Sequence, residues 1–338
     1  MNKSDKYRNY ALVNEMLETS GIIRDFRVSG MEKPVEQAKK LKKVLFTGEG
    51  SSRIFPSKNA MALALRRGGS IHMVTEGSYQ AKEYKLDDFV VFASSNSGQT
   101  KETISLIDQL ANAGHQNLYA VTANYETPLE KLSNMSFVLN CGKEDAVAAT
   151  KSVVEQALVY VKFVSECADR KIDDELSPLA DAVAQALETD VPKEMVDAMI
   201  SAPTVYFAGR NDGVAEELTL KTNEIVRKKS DFLEGTYLLH GIEEVMHKDD
   251  VIILIDPFKQ ELEQIRKTLG EGVGVKIFAI SSQKTIFDGI QIPYTGPLAS
   301  FVHLCAGWNL LVEAGLSLGI DLDHPVRARK VGNEYKSE

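Results

Sequence analysis

Short, nearly continuous apolar runs alternate along this chain with longer segments whose apolar residues recur at helical spacing. In the first half the runs fall at residues 44–47, 71–75, 89–93, 118–122 and 136–140, and each reads as a buried strand. Between them, residues 57–67 and 101–113 read as helices. In the second of these, Ile104, Leu106, Ile107, Leu110 and Ala111 keep one face apolar. A long amphipathic stretch over 146–170 closes this half, and the polar, acidic residues 171–177 read as a linker. Strand–helix alternation of this kind predicts parallel α/β layers.

The second half runs through the same order. Residues 204–208 followed by Gly209 parallel 44–47 followed by Gly48. Asp249-Asp250-Val251-Ile252-Ile253 parallels Asp87-Asp88-Phe89-Val90-Val91. Gly48 lies 40 residues before Asp88, and Gly209 lies 41 before Asp250. Residues 276–281 then match 118–122, and a helical stretch over 299–315 mirrors the closing helix. The chain therefore reads as two copies of one α/β unit. The copies part after the third strand: Ser94-Ser95-Asn96-Ser97-Gly98-Gln99-Thr100 in the first, Ile255-Asp256-Pro257-Phe258-Lys259 in the second. An anion site at this turn is expected in one copy only.

Composition changes this picture little. At 338 residues the chain suits about two domains. With 43% hydrophobic and 26% charged residues it is expected to be globular. A net charge of -9 argues against nucleic acid or anionic membrane as partners and requires a locally positive pocket for any anionic substrate. No apolar run approaches the ~18 residues of a spanning helix, and the first residues lack a signal-peptide core. Cys141, Cys167 and Cys305 are scattered and read as thiols buried in a reducing compartment. The expectation is a cytoplasmic protein.

The candidate chemistry sits in five places. Ser95, Asn96, Ser97 and Thr100 enter a helix where free N–H groups and the positive dipole end would face a phosphate. Taken alone, the turn serves equally as an ordinary N-cap. Gly48-Glu49-Gly50-Ser51-Ser52-Arg53 follows the neighbouring strand. It lacks the third glycine of a dinucleotide fingerprint, so Ser51 and Ser52 are expected to join the same anion site. Glu217, Lys221 and Glu224, at i, i+4 and i+7 on a helix over 214–227, share one stripe, which by itself is ordinarily a solvated ladder of ion pairs. His240 stands among apolar neighbours, as structural histidines do, and Arg327, Arg329 and Lys330 read as a basic tail.

Together and in order, these motifs resemble the tandem sugar-isomerase (SIS) domain family from about residue 40 to 331. The resemblance is nearest to the isomerase half of glucosamine-6-phosphate synthase and to SIS-type aminosugar-phosphate deaminases. Residues 95–100 resemble the family's phosphate loop, and Gly48 to Ser52 its Gly-x-Gly-Thr/Ser-Ser turn. Val147-Ala148-Ala149-Thr150-Lys151 is similar to its Val-Ala-Ser-Thr-Lys segment. Glu217, Lys221 and Glu224 match the catalytic helix, His240 the ring-opening histidine, and Lys330 the terminal lysine. Ala149, Ile242 and Val326 depart from the usual serine, proline and arginine.

The resemblance implies two flavodoxin-like αβα domains. These would be a phosphate-binding one over 35–170 and a catalytic one over 171–320, preceded by a helical extension over 1–34 and followed by a tail over 321–338 that closes the site. It implies an enzyme without metal or cofactor. A hexose phosphate would be held by Ser51, Ser52, Ser95, Asn96, Ser97, Thr100, Val147 and Ala149, with Glu224, His240, Lys330, Lys221 and Glu217 catalytic. It also implies a homodimer that shares the His240 loop. The expected reaction is aldose–ketose isomerisation with loss of an amine. A deglycase or plain isomerase, or a non-catalytic sugar-phosphate sensor, are the rivals. No cysteine precedes Cys141, so glutaminase activity is not expected of this chain.

Overall fold

The computed structural model describes residues 1–2, 4–294 and 296–336. By contacts the chain divides into two compact units. One comprises Gly21–Glu144, Ala149–Ser177 and Ala328–Glu338; the other comprises Met1–Ser20, Asp145–Ala148 and Pro178–Arg327.

The first unit holds five parallel strands: β1 Lys43–Gly48, β2 His72–Gly77, β3 Val90–Ser94, β4 Leu118–Thr122 and β5 Met135–Val138. They lie in the order β2-β1-β3-β4-β5, the flavodoxin-like arrangement. β3 and β4 are buried along their whole length and β1 along all but its first residue, because helices cover both faces. Phe92 on β3 anchors the core, with ring centroids 4.6 Å from Phe163 and 5.7 Å from Phe46. The Lys101–Asn112 helix buries Ile104, Leu106, Ile107 and Leu110.

The second unit repeats the plan. Its strands are β6 Thr204–Gly209, β7 Lys229–Glu234, β8 Val251–Ile255, β9 Lys276–Ser281 and β10 Gly289–Gln291, in the order β10-β9-β8-β6-β7. Counted from one to five, that is the same sequence of neighbours, 2-1-3-4-5. All pairings are parallel in both sheets. Gly48 pairs with Ser94 and Gly209 with Ile255, so the turn after Ser94 and the turn after Ile255 occupy equivalent positions. The fold is thus α/β with two parallel five-stranded sheets flanked by helices.

Several segments differ from the sequence expectation. Residues 171–177 are not a linker but enter the Asp173–Glu188 helix, whose first turn places Asp173, Asp174 and Glu175 at the positive dipole end. The long helix starts at Lys151 rather than 146 and ends at Cys167. The helix expected over 214–227 is α-helical over Val214–Lys221 and continues as a π-helical turn over Thr222–Val226. β7 and β10 are edge strands with one buried residue each, too polar or too short to stand out. The Gly296–Ser317 segment does pass a length and composition test for crossing a membrane, but 89% of that window is buried, as in a core helix. Cys141 and Cys305 are buried and Cys167 is half-buried.

Candidate functional site

In the first unit, two loops leave the carboxyl ends of the paired strands β1 and β3. Beyond β3, the Ser95 hydroxyl lies 2.8 Å from that of Thr100 and 3.4 Å from that of Ser97. The Ser97 hydroxyl also accepts the Gln99 N–H at 3.1 Å. Three of the expected hydroxyls therefore converge at the amino end of the Lys101–Asn112 helix, where anions are favoured. Gly98 sets the loop's path. Its φ is +65°, and a Cβ there would lie 2.4 Å from Thr127, so only glycine fits.

Beyond β1, Gly50–Ser52 forms a 3-10 turn, and the Gln156 side-chain amide donates to the Ser52 hydroxyl at 3.4 Å. Ser51 is half-buried in the same turn. Asn96 behaves differently from the loop's hydroxyls, since its amide donates to Glu144 at 2.9 Å. Ala149 is half-buried and carries no polar side chain; Val147 in the other unit donates its N–H to the Asp323 carbonyl at 3.3 Å.

Residues 333–335 join this loop. The Lys101 N–H donates to the Asn333 carbonyl at 3.0 Å, and the Tyr335 N–H to the Gln99 carbonyl at 2.8 Å. Thr100 and Glu334 form an antiparallel bridge, and the Asn333 amide reaches Glu102 at 2.6 Å. Lys330, three residues earlier, places its ammonium 3.3 Å from Glu144. Glu144 escaped the sequence reading. Its signal was faint: an acid a few residues ahead of a helix, in a position to cap it. Burial would push its carboxyl up. The Lys330 charge and hydrogen bonds from Thr150 and Ser152 outweigh that and hold it below the usual carboxylate range.

In the second unit, the Val214–Lys221 helix and the π turn after it carry the acid–base stripe. Lys221 lies 3.5 Å from Glu217 and 2.6 Å from Glu224. Glu217 and Lys221 are fully buried, while the Glu224 side chain keeps 31% exposure. The stripe is therefore no solvated ladder. Close packing sets its place: a Cβ on Gly307, in the Ala299–Ser317 helix, would lie 2.4 Å from the side chain of Leu218. His240 is exposed and follows the Tyr237–Leu239 turn.

At the turn equivalent to Ser95, β8 leads to Asp256, whose carboxylate accepts from Arg210 at 2.8 Å and from the Ser281 hydroxyl at 3.2 Å. An acid there repels phosphate, so the hydroxyl cradle belongs to the first unit. Among the described residues no group of three or more His, Cys, Asp and Glu side chains could hold a metal ion.

Known proteins resemble this chain over most of its length. The glutamine–fructose-6-phosphate aminotransferase (isomerizing) of Legionella pneumophila is 25% identical over 354 residues, covering 94% of this chain and 57% of the relative. The chain spans about half the length of the curated relatives it matches. The C-terminal domain of glucosamine-fructose-6-phosphate aminotransferase from Francisella tularensis superposes with a TM-score of 0.76 at 19% identity, covering 95% of this chain and all of that one. Glucosamine-6-phosphate deaminase from Thermotoga maritima gives 0.72 at 19% identity, covering 97% and 99%. Both likenesses show a common fold. The family model of the SIS domain matches residues 39–165, the stretch that carries the β1–β5 sheet.

Proposed function

We propose that this protein is a phosphosugar aldose–ketose isomerase built on two SIS domains. In this reading it deaminates an aminosugar phosphate such as glucosamine 6-phosphate to fructose 6-phosphate and ammonia. The observation that carries the reading is the burial of Lys221 with Glu217, beside a Glu224 carboxylate that still reaches solvent. Burying charges costs several kcal/mol per ion before pairing. Buried, clustered acid–base groups of this kind support a site of proton transfer.

Ser51, Ser52, Ser95, Ser97 and Thr100 bind the phosphate, with Asn96 shaping the loop and Val147 and Ala149 lining the sugar. His240 moves a proton between ring oxygen and anomeric hydroxyl and so opens the ring. Glu224 takes the C2 proton and returns it to C1 through an enolamine. Lys221 orients Glu224, Glu217 orients Lys221, and Lys330 stabilises negative charge on the sugar oxygens. The product imine at C2 then adds water and releases ammonia. No step calls on a cofactor, and none hydrolyses glutamine.

The relatives' names, an aminotransferase that isomerises and a deaminase, support the substrate class. The exposure of His240 supports a role outside its own unit, and we place it in a cytoplasmic homodimer that shares this loop. The test is incubation with glucosamine 6-phosphate, reading ammonia and fructose 6-phosphate in equal amounts. Tight binding with no turnover across a panel of hexose phosphates would instead identify a sensor.

A further inference from the structure

Glu144 is a heavily engaged carboxylate of the first unit. Its side chain is 1% exposed. One oxygen, Oε1, accepts the N–H groups of Thr150 at 2.8 Å and Ser152 at 3.2 Å, at the start of the Lys151–Cys167 helix. The other, Oε2, accepts from the Ser152 hydroxyl at 2.7 Å, from the Asn96 amide at 2.9 Å and from the Lys330 ammonium at 3.3 Å. A helix cap needs only the first set. The second oxygen faces the phosphate loop and the tail together, and a buried carboxylate facing that way calls for a cation.

We infer that Glu144 is a positioning residue that sets the Lys330 ammonium against the phosphate loop, so that one carboxylate fixes the loop and the tail lysine in register. The tail supports this from its other side. Residues 333–335 are tied to residues 99–101 by two backbone hydrogen bonds, so Lys330 is fixed between an ionic anchor and a backbone one. Glutamine could keep the Oε1 contacts, but an amide nitrogen in place of Oε2 would confront two donors, Asn96 and Lys330. The functional part of this inference rests on the reading that Lys330 acts on the sugar.

Two measurements on the full chain separate the inference from that reading. The first is amide hydrogen exchange at Lys101 and Tyr335, the donors that join loop and tail, in wild type, K330M, E144Q and the double variant. We expect at least about tenfold faster exchange in each single variant, with no further gain in the double, while β3 stays protected. K330M removes a side chain that is 33% exposed and leaves the Glu144 cap contacts in place, so unchanged exchange in it overturns the inference even if E144Q is unstable. The second is turnover of glucosamine 6-phosphate in the same set. E144Q should lower kcat about as much as K330M, with KM within about threefold and little added loss in the double. E144D should recover part of the activity. Multiplying losses would mean that Glu144 serves the fold alone. A wild type without turnover would sink the functional reading and leave the exchange result to decide the role of Glu144.

Discussion

Gly98→Ala isolates the phosphate loop. Two costs can be read at this position. An alanine at φ +65° pays the left-handed strain of about 1–2 kcal/mol. Its methyl must also sit where Thr127 is, with Cβ, Cγ2 and Oγ1 of that residue all within 2.5 Å. Forcing such a contact typically costs a further ~1–3 kcal/mol. Thr127 has little freedom to withdraw, because its hydroxyl accepts the Glu130 N–H at 3.2 Å as a helix cap.

Gly114→Ala is the control. It has a similar φ of +81° and nothing within 4 Å of the added carbon, so it carries the strain alone. The expected destabilisation is thus about 2–5 kcal/mol for G98A against about 1–2 for G114A. Urea unfolding followed by circular dichroism and by exchange of β3 amides measures the difference. The single tryptophan, Trp308, belongs to the second unit and would miss the event. Because the loop carries Ser95, Ser97 and Thr100, G98A should also weaken binding of inorganic phosphate while G114A leaves it unchanged. Equal behaviour of the two variants would refute the steric argument.

Other outcomes follow from the same geometry. Lys221→Met removes the ammonium from between two carboxylates, and should cost about 3–5 kcal/mol in urea and lower kcat at least about a hundredfold; wild-type kcat would exclude its role. Glu144 has a depressed carboxyl, so its stabilisation is complete above the unfolded value of about 4.3 and is lost as pH falls through the lower folded one. The stability gap between wild type and E144Q should therefore be flat from pH 8 to about 5 and shrink below about 4, and a gap that widens in acid would contradict the assignment. Burial pushes the Cys167 thiol up to about 12, so iodoacetamide should label it slowly at pH 7.5, far more slowly than free cysteine. Sedimentation should give twice the mass of one chain, and His240→Asn should slow turnover of the ring form.

What the sequence disclosed follows what governs each element. β1, β3 and β4 were legible because burial on both faces makes them continuously apolar. β7, reading Lys-Ser-Asp-Phe-Leu-Glu, and the three-residue β10 were not, since edge strands are held by a neighbour rather than by their own pattern. The hydroxyl turn after β3 and its replacement by Asp256 after β8 were visible because they are local. The spacing of Glu217, Lys221 and Glu224 was visible as well, yet it suggested a wet surface. Their helix packs on the distant Ala299–Ser317 helix, through Leu218 against Gly307, a contact that no local pattern encodes. Glu144 and its contact with the tail were illegible for a plainer reason: Lys330 meets Glu144 across 186 residues of chain.

The proposed reaction turns on a carboxylate that moves the C2 proton. The direct measurement is deuterium entry at C2 and C1 of glucosamine 6-phosphate in heavy water, compared between wild type and Glu224→Gln, with phosphate affinity measured alongside. Exchange in wild type, its loss by at least about a hundredfold in the variant, and equal phosphate affinity in the two are the expected results. Exchange that survives in Glu224→Gln would contradict the account.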